Sequence, residues 1–145
     1  MTRLLCATDG SRGAERALAL AIRICRATPT ELHVVNVIGG YGLPGGLFRG
    51  VTRAQTNWFE EALVANASEI LGKARAQIEA AELPAPILHT ERGDVAEALL
   101  RYVESRAIDA VVVGKRGSGQ WEGALLGSVS QKLVSLSPVV VVVVP

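Results

Sequence analysis

The sequence is short of the residues that most often hold metals or carry acid–base chemistry, with two cysteines and two histidines among 145 residues. Cys6 and Cys25 have no metal-ligand spacing and no matching histidine cluster. Cys6 sits in an apolar run and Cys25 on the apolar side of a helical pattern, so both read as buried, inert thiols. His33 and His89 fall in separate strand-like segments, with nothing nearby to make a catalytic dyad of either. A long hydrophobic run is also lacking: no stretch approaches the ~18 residues that span a bilayer, so no membrane partner is expected. There is no excess of one charge. Fifteen basic against fourteen acidic residues leave a formal +1, far from the basic balance of proteins that wrap duplex nucleic acid. The N-terminus runs directly into an apolar segment, without the charged region and small-residue cleavage site of a signal peptide. The expectation is a reducing, cytoplasmic setting.

What is present is a globular balance, with 49% hydrophobic and 20% charged residues. The length suits one domain over residues 1–145, large enough to bury roughly 70% of the surface of its unfolded chain. Apolar runs alternate with helical patterns from end to end. Arg3 to Thr8 is a short apolar run stopped by the turn signal Asp9-Gly10-Ser11. Ala14, Ala17, Leu18, Ala21, Ile22 and Cys25 then recur at the three-four spacing of a buried helix stripe, with Ser11 as N-cap and Pro29 beyond its end. Glu31 to Ile38 is β-branched and strand-like. Gly39 to Gly50 holds six glycines and a proline and reads as a mobile loop, with Tyr41, Leu43 and Phe48 as candidate contact residues. A long helix is expected next, with Phe59, Leu63, Ile70, Leu71, Ala74 and Ile78 on one face. Ile87 to Glu91 alternates like a strand near an edge. Gly93-Asp94 opens a helix carrying Ala96, Leu99, Leu100 and Val103. Asp109 to Val113 is apolar on both faces, as a strand buried under helices should be. A fourth helix with Leu126, Val129, Leu133 and Leu136, then Pro138 and six consecutive valines, complete the pattern β-α-β-α-β-α-β-α-β. Short strands joined by right-handed helical crossovers make a doubly wound parallel sheet with helices on both faces.

In such sheets ligands bind beyond the carboxyl ends of the strands, where the winding reverses. The segments after strands one and four are therefore the candidates. The second runs from Gly114 to Ser130 and suits phosphate. Its glycines allow a ligand close to the backbone, so several N–H groups can converge on one anion. Gly127, Ser128, Val129 and Ser130 stand at a helix N-terminus, where unpaired donors and the helix dipole favour negative charge. The two serine hydroxyls would add donors, and Lys115 and Arg116 positive charge. Asp9, across the crevice, would accept from a ribose hydroxyl or an adenine amine. Spacing alone also allows a flexible surface turn with an ordinary N-cap. Related motifs do not fit. No Lys follows a glycine at P-loop spacing; Gly117, Gly119 and Gly123 are spaced GxGxxxG rather than GxGxxG; and there is no CxxC and no acidic cluster beside Asp9.

Gly114, Gly117 and Gly127-Ser128 stand as glycine, two residues, glycine, nine residues, glycine-serine. This resembles the nucleotide-binding signature of the universal stress protein family. Thr8-Asp9-Gly10-Ser11, Val35-Asn36-Val37, Gly93-Asp94-Val95-Ala96, Leu126 to Ser130 and the valines after Pro138 resemble other family segments in order, so the likeness covers the whole chain. It implies an adenine-nucleotide alpha-hydrolase-like fold with strand order 3-2-1-4-5. It also implies ATP or a related adenine nucleotide, with Mg²⁺, between strands one and four. Carried over by position, Asp9 and Val37 would hold the adenosine end and Val113 and Gly114 line the nucleoside pocket. Arg116, Gly117, Gly127, Ser128, Val129 and Ser130 would surround the phosphates. The sequence departs from the family with Ala7 where many members have proline, Asn36 where many have histidine, and Trp121-Glu122 in the loop, with Glu122 expected to face solvent.

The favoured function is a nucleotide-binding regulatory or stress-response protein with no dedicated catalytic residue. A slow ATPase or phosphate-transferring enzyme, using Glu122 or Asp9, is one alternative. An interaction module with a vestigial site, contacting a partner through the Gly39 to Gly50 loop, is another. A bare valine strand from Val139 to Val144 at a sheet edge would invite pairing, so a homodimer through that strand is expected.

Overall fold

The computed structural model describes residues 1–39, 52–117 and 125–145. The expected loop with Tyr41, Leu43 and Phe48 lies outside the described residues, as do Gly119, Trp121, Glu122 and Gly123. Five strands alternate with four helices: β1 (Arg3–Ala7), α1 (Arg12–Ala27), β2 (Glu31–Ile38), α2 (Arg53–Ala80), β3 (Ile87–Arg92), α3 (Val95–Ser105), β4 (Ala110–Gly114), α4 (Ser128–Leu136) and β5 (Val140–Val144). All pairings are parallel and the sheet order is β3-β2-β1-β4-β5. The chain winds from β1 outward through β2 to β3, then returns to β4 beside β1 and winds outward again to β5. The reversal therefore falls between β1 and β4, where Leu4, Leu5 and Cys6 pair with Ala110, Val111 and Val112.

The period-two alternation of the strands builds two cores. Leu4, Cys6, Leu32, Val34 and Val112 face Ala17, Leu18 and Ala21 of α1 and Leu71, Ala74 and Ile78 of α2. Leu5, Val35, Val111 and Val113 face Leu99, Tyr102 and Val103 of α3 and Leu133 of α4. Burial on both sides explains why β4 carries an unbroken apolar run, whereas edge strand β3 shows alternation. Burial and the neighbouring Cys25 push the Cys6 thiol up to about 12, which makes it the inert group its apolar setting suggests.

Helix starts follow the caps written in the sequence. Ser11, Thr52 and Asp94 accept from the N–H groups of Ala14, Gln55 and Glu97, and Gln55 completes a capping box at α2. Two apolar stripes differ from expectation. In α2 the buried face is Ala67, Leu71, Ala74 and Ile78. Phe59 and Leu63, a few turns earlier, are only half-buried, because the first half of this 28-residue helix lies beyond the main contact with the sheet. In α4, Leu136 is 62% exposed and Leu126 precedes the helix, since nine residues give only about two and a half turns against the sheet.

The histidines are more engaged than their isolation in the sequence suggested. His33 is buried, with Nδ1 2.8 Å from the Tyr102 hydroxyl and Nε2 2.9 Å from Glu31. His89 Nε2 lies 2.9 Å from Glu91. Each pair is two residues apart on one strand, the spacing that places side chains on one face. The hydrogen bond from His33 holds the Glu31 carboxyl below the usual range. Neither histidine lines the cavity at the winding reversal, and this cluster ties the β2–β3 side of the sheet to α3.

Candidate functional site

A cavity of about 230 Å³ opens at the carboxyl ends of β1 and β4. The close approach of two backbones shapes one wall. A Cβ added at Gly114 would stand 2.7 Å from the Gly13 carbonyl carbon, so the end of β4 passes the first turn of α1 only because a glycine is there. The chain then reaches Lys115, whose N–H donates to the Val144 carbonyl at 2.6 Å and whose carbonyl accepts from Gly127 N at 2.8 Å. Lys115 is thus the junction that carries the chain from β4 to α4. It is Arg116, the next residue, that lines the cavity.

The N-terminus of α4 faces into this space. Gly127 is its N-cap, and no side chain caps the helix. The first intrahelical bond is Gln131 N to the Gly127 carbonyl, so the N–H groups of Ser128, Val129 and Ser130 stand before the helical ladder begins. All three residues line the cavity. The aligned peptide dipoles make that end of the helix partly positive, and the Arg116 side chain adds a full charge. The arrangement gathers unpaired donors and positive charge at one end of the cavity. Ser130 departs from the expected role: its hydroxyl is directed at the Lys115 and Gly127 carbonyls, at 2.9 and 3.0 Å. That proton fastens the helix start to the end of β4, which leaves Ser128, exposed at the cavity, as the hydroxyl available to a ligand.

The opposite wall comes from the β1–α1 turn. Asp9 Oδ1 accepts from Ser11 N at 2.9 Å. Its Oδ2 points toward Gly117, where an added Cβ would come within 2.6 Å. Between the carboxylate and the N-terminus of α4 the floor is apolar, made by Val35, Val37, Val95, Leu99 and Val113. Polar groups at two ends of an apolar slot suit a ligand with a flat apolar body, a polar edge and an anionic tail.

The cavity brings together all ten residues singled out from the sequence: Asp9 and Val37 on one side, Val113, Gly114, Arg116 and Gly117 after β4, and Gly127 to Ser130 at α4. Sequence reasoning missed the contribution of α3, Val95 and Leu99, together with Val35 and Gly39. The signal was available, because Val35 shares the face of Val37 on β2 and Val95 directly follows the turn at the carboxyl end of β3. A second hollow of similar size lies behind Asp9, between α1 and α2. It is lined by exposed side chains of mixed charge, Glu15, Glu69 and Lys73 among them, with Lys73 3.4 Å from Glu69. Lys73 and Glu69 thus pair with each other along α2 instead of converging on a ligand.

Fold and cavity define a class: doubly wound α/β proteins with an open cavity at the carboxyl ends of the strands where the winding reverses. A family model described as the universal stress protein family matches residues 1–145. The chain belongs to that family. It is 24% identical over 145 residues to the universal stress protein YxiE of Bacillus subtilis, covering 98% of this chain and 97% of that protein. The universal stress protein UspA of Lactobacillus plantarum has the same fold, with a TM-score of 0.82 at 22% identity over 99% of this chain and 97% of that one. The universal stress protein of Archaeoglobus fulgidus, solved in complex with dAMP, matches at a TM-score of 0.69 and 18% identity over 100% of this chain and 98% of that chain.

Proposed function

We propose that this protein binds an adenine nucleotide, ATP among its candidates, in the cavity between β1 and β4, and that binding serves a regulatory or stress-response role in the cytoplasm. The observation that carries the reading is the uncapped N-terminus of α4, open to a cavity whose other end presents a carboxylate. Main-chain N–H groups of Ser128, Val129 and Ser130, the Ser128 hydroxyl and Arg116 hold the phosphates. The purine and ribose lie on Val35, Val37, Val113 and Leu99, with Asp9 accepting from the ribose or from the adenine amine. A relative whose structure is in complex with dAMP supports the ligand class. Asp9 is the one carboxylate among the described cavity residues, so Mg²⁺ would be held through the phosphates and water and not by a protein cage. The near-balanced charge of the chain fits a small-molecule ligand better than nucleic acid.

Thermal unfolding tests the reading. Nucleotide at a hundred times its Kd stabilises the native state by about 2.7 kcal/mol. Replacing Gly127 by Val together with Ser128→Ala removes the gain, because a branched side chain at the cap covers the donors and a hydroxyl is lost. Gly127 has φ −70° and ψ 162°, a backbone conformation valine adopts readily, and circular dichroism of the ligand-free variant checks that it keeps its fold. Melting that does not shift at saturating ATP or AMP sinks the proposal.

Association is proposed through β5. It is an edge strand paired on one side to β4, and its five valines are exposed or half-buried. Pairing with the same strand of a second copy would satisfy the open edge and cover those valines.

A further inference from the structure

We propose that Asn36 is the positioning residue for Asp9, acting through the Thr8 carbonyl; this rests on the adenine-nucleotide reading above. Asn36 does not line the cavity. Strand alternation turns Val35 and Val37 toward the cavity and sets Asn36 on the side of Leu32 and Val34, in the layer of α1 and α2. It is a buried amide, 5% exposed, on an otherwise apolar face. Such a group persists where a hydrogen bond compensates its loss of water, and here Nδ2 donates to the Thr8 carbonyl at 2.8 Å.

That carbonyl is the last one before Asp9. Thr8 N also donates to the Val35 carbonyl at 2.9 Å, so both ends of Thr8 are fastened to β2. The carbonyl of Thr8 and the N–H of Asp9 belong to one rigid peptide plane. Fixing the carbonyl therefore fixes the direction in which the chain leaves the sheet and starts Asp9. Beyond it the backbone turns through Gly10 at φ +78°, and the carboxylate is caught between Ser11 N and the bare α-carbon of Gly117. The clearance at Gly117 is too small for a methyl group. A tilt of the Thr8–Asp9 plane would carry the carboxylate into Gly117 or away from the ligand, with no loss of a cavity residue.

The test is a double-mutant cycle read by calorimetry with two probes, AMP and inorganic tripolyphosphate. Asn36→Leu keeps the branched heavy-atom outline of the side chain, with bulkier methyl groups, and removes the donor. AMP binding is expected to weaken by about tenfold, the worth of one well-placed hydrogen bond. In an Asp9→Ala background the same substitution should change AMP affinity by less than about twofold, because the group it positions is gone. Tripolyphosphate, held at the α4 end, should bind Asn36→Leu as it binds the unmodified protein. A merely structural role would weaken both probes. Asn36→Ala, smaller and also without the donor, takes the same cycle should the leucine variant fail to fold. Additive losses, unchanged AMP affinity or equal weakening of both probes overturn the role of Asn36 while the binding reading stands. Absence of AMP and ATP binding in the unmodified protein overturns the binding reading, and the role of Asn36 with it.

Discussion

Asp109 shows how an exposed side chain can be written into stability. It follows α3 and precedes β4, and its carboxylate accepts from Thr2 N at 2.6 Å, Arg3 N at 2.9 Å and the Thr2 hydroxyl at 3.0 Å. Those donors favour the charged form and bring its pKa down to about 2. A group depressed in the folded state stabilises the fold above its unfolded pKa, and that contribution disappears as pH falls through the folded value. Stability should therefore decline between about pH 4 and pH 2, and Asp109→Asn should flatten that decline while lowering the melting temperature at neutral pH. Thermal scans across the acid range check both. Tyr102 of α3 offers a contrast in the core. Tyr102→Phe removes the hydroxyl bonded to His33 and leaves a buried imidazole nitrogen without its partner. The loss should be about 1–3 kcal/mol in urea unfolding, with AMP affinity unchanged, since neither residue lines the cavity.

Among the elements, the helices divide by how their first turns are satisfied. At α3 the cap is Asp94, whose carboxyl is held below the usual range first by the N–H of Glu97 and then by Lys132, 3.6 Å away on α4. Asp94→Ala should cost about 1 kcal/mol, measured by chemical denaturation, because the donors of α3 lose their acceptor. The same kind of change at the start of α4 should act on ligand affinity instead. These element starts were legible in the sequence because a cap is local: Ser11 and Asp94 sit at the places their chemistry demands, and the bounds of β2 follow from its β-branched run. The gathering of ten residues from three distant segments was legible as well, through the rule for parallel sheets together with the family resemblance. What could not be read depended on distances between segments far apart in the chain. The hydroxyl of Ser130 has two possible uses in sequence, and only the approach of Lys115 decides between them. The nearness of Asp9 to Gly117 is likewise set by how β4 passes α1. Leu136 misled for a related reason, since a periodic stripe says which face is apolar but not how far the neighbouring layer extends.

At the scale of the whole molecule, the two edges of the sheet are unlike. β3 alternates and carries polar side chains, with Arg92 bridged to Glu60 of α2 at 3.0 Å and His89 to Glu91. β5 is valine throughout and Val140 is 65% exposed. If β5 mediates association, light scattering should report twice the 15.3 kDa chain, and Val140→Lys should return the single-chain mass with little change in melting at low concentration. The difference between the edges also sets a valence. A sheet sticky at both margins has two bonds to offer and can add copies without end. This one has a single apolar margin, and were a second copy to pair there, the joined sheet would present only the charged, self-paired edge of β3 on either side. On that proposal growth would stop at the first step, and a strand that in isolation would seed fibres would become a terminator of assembly.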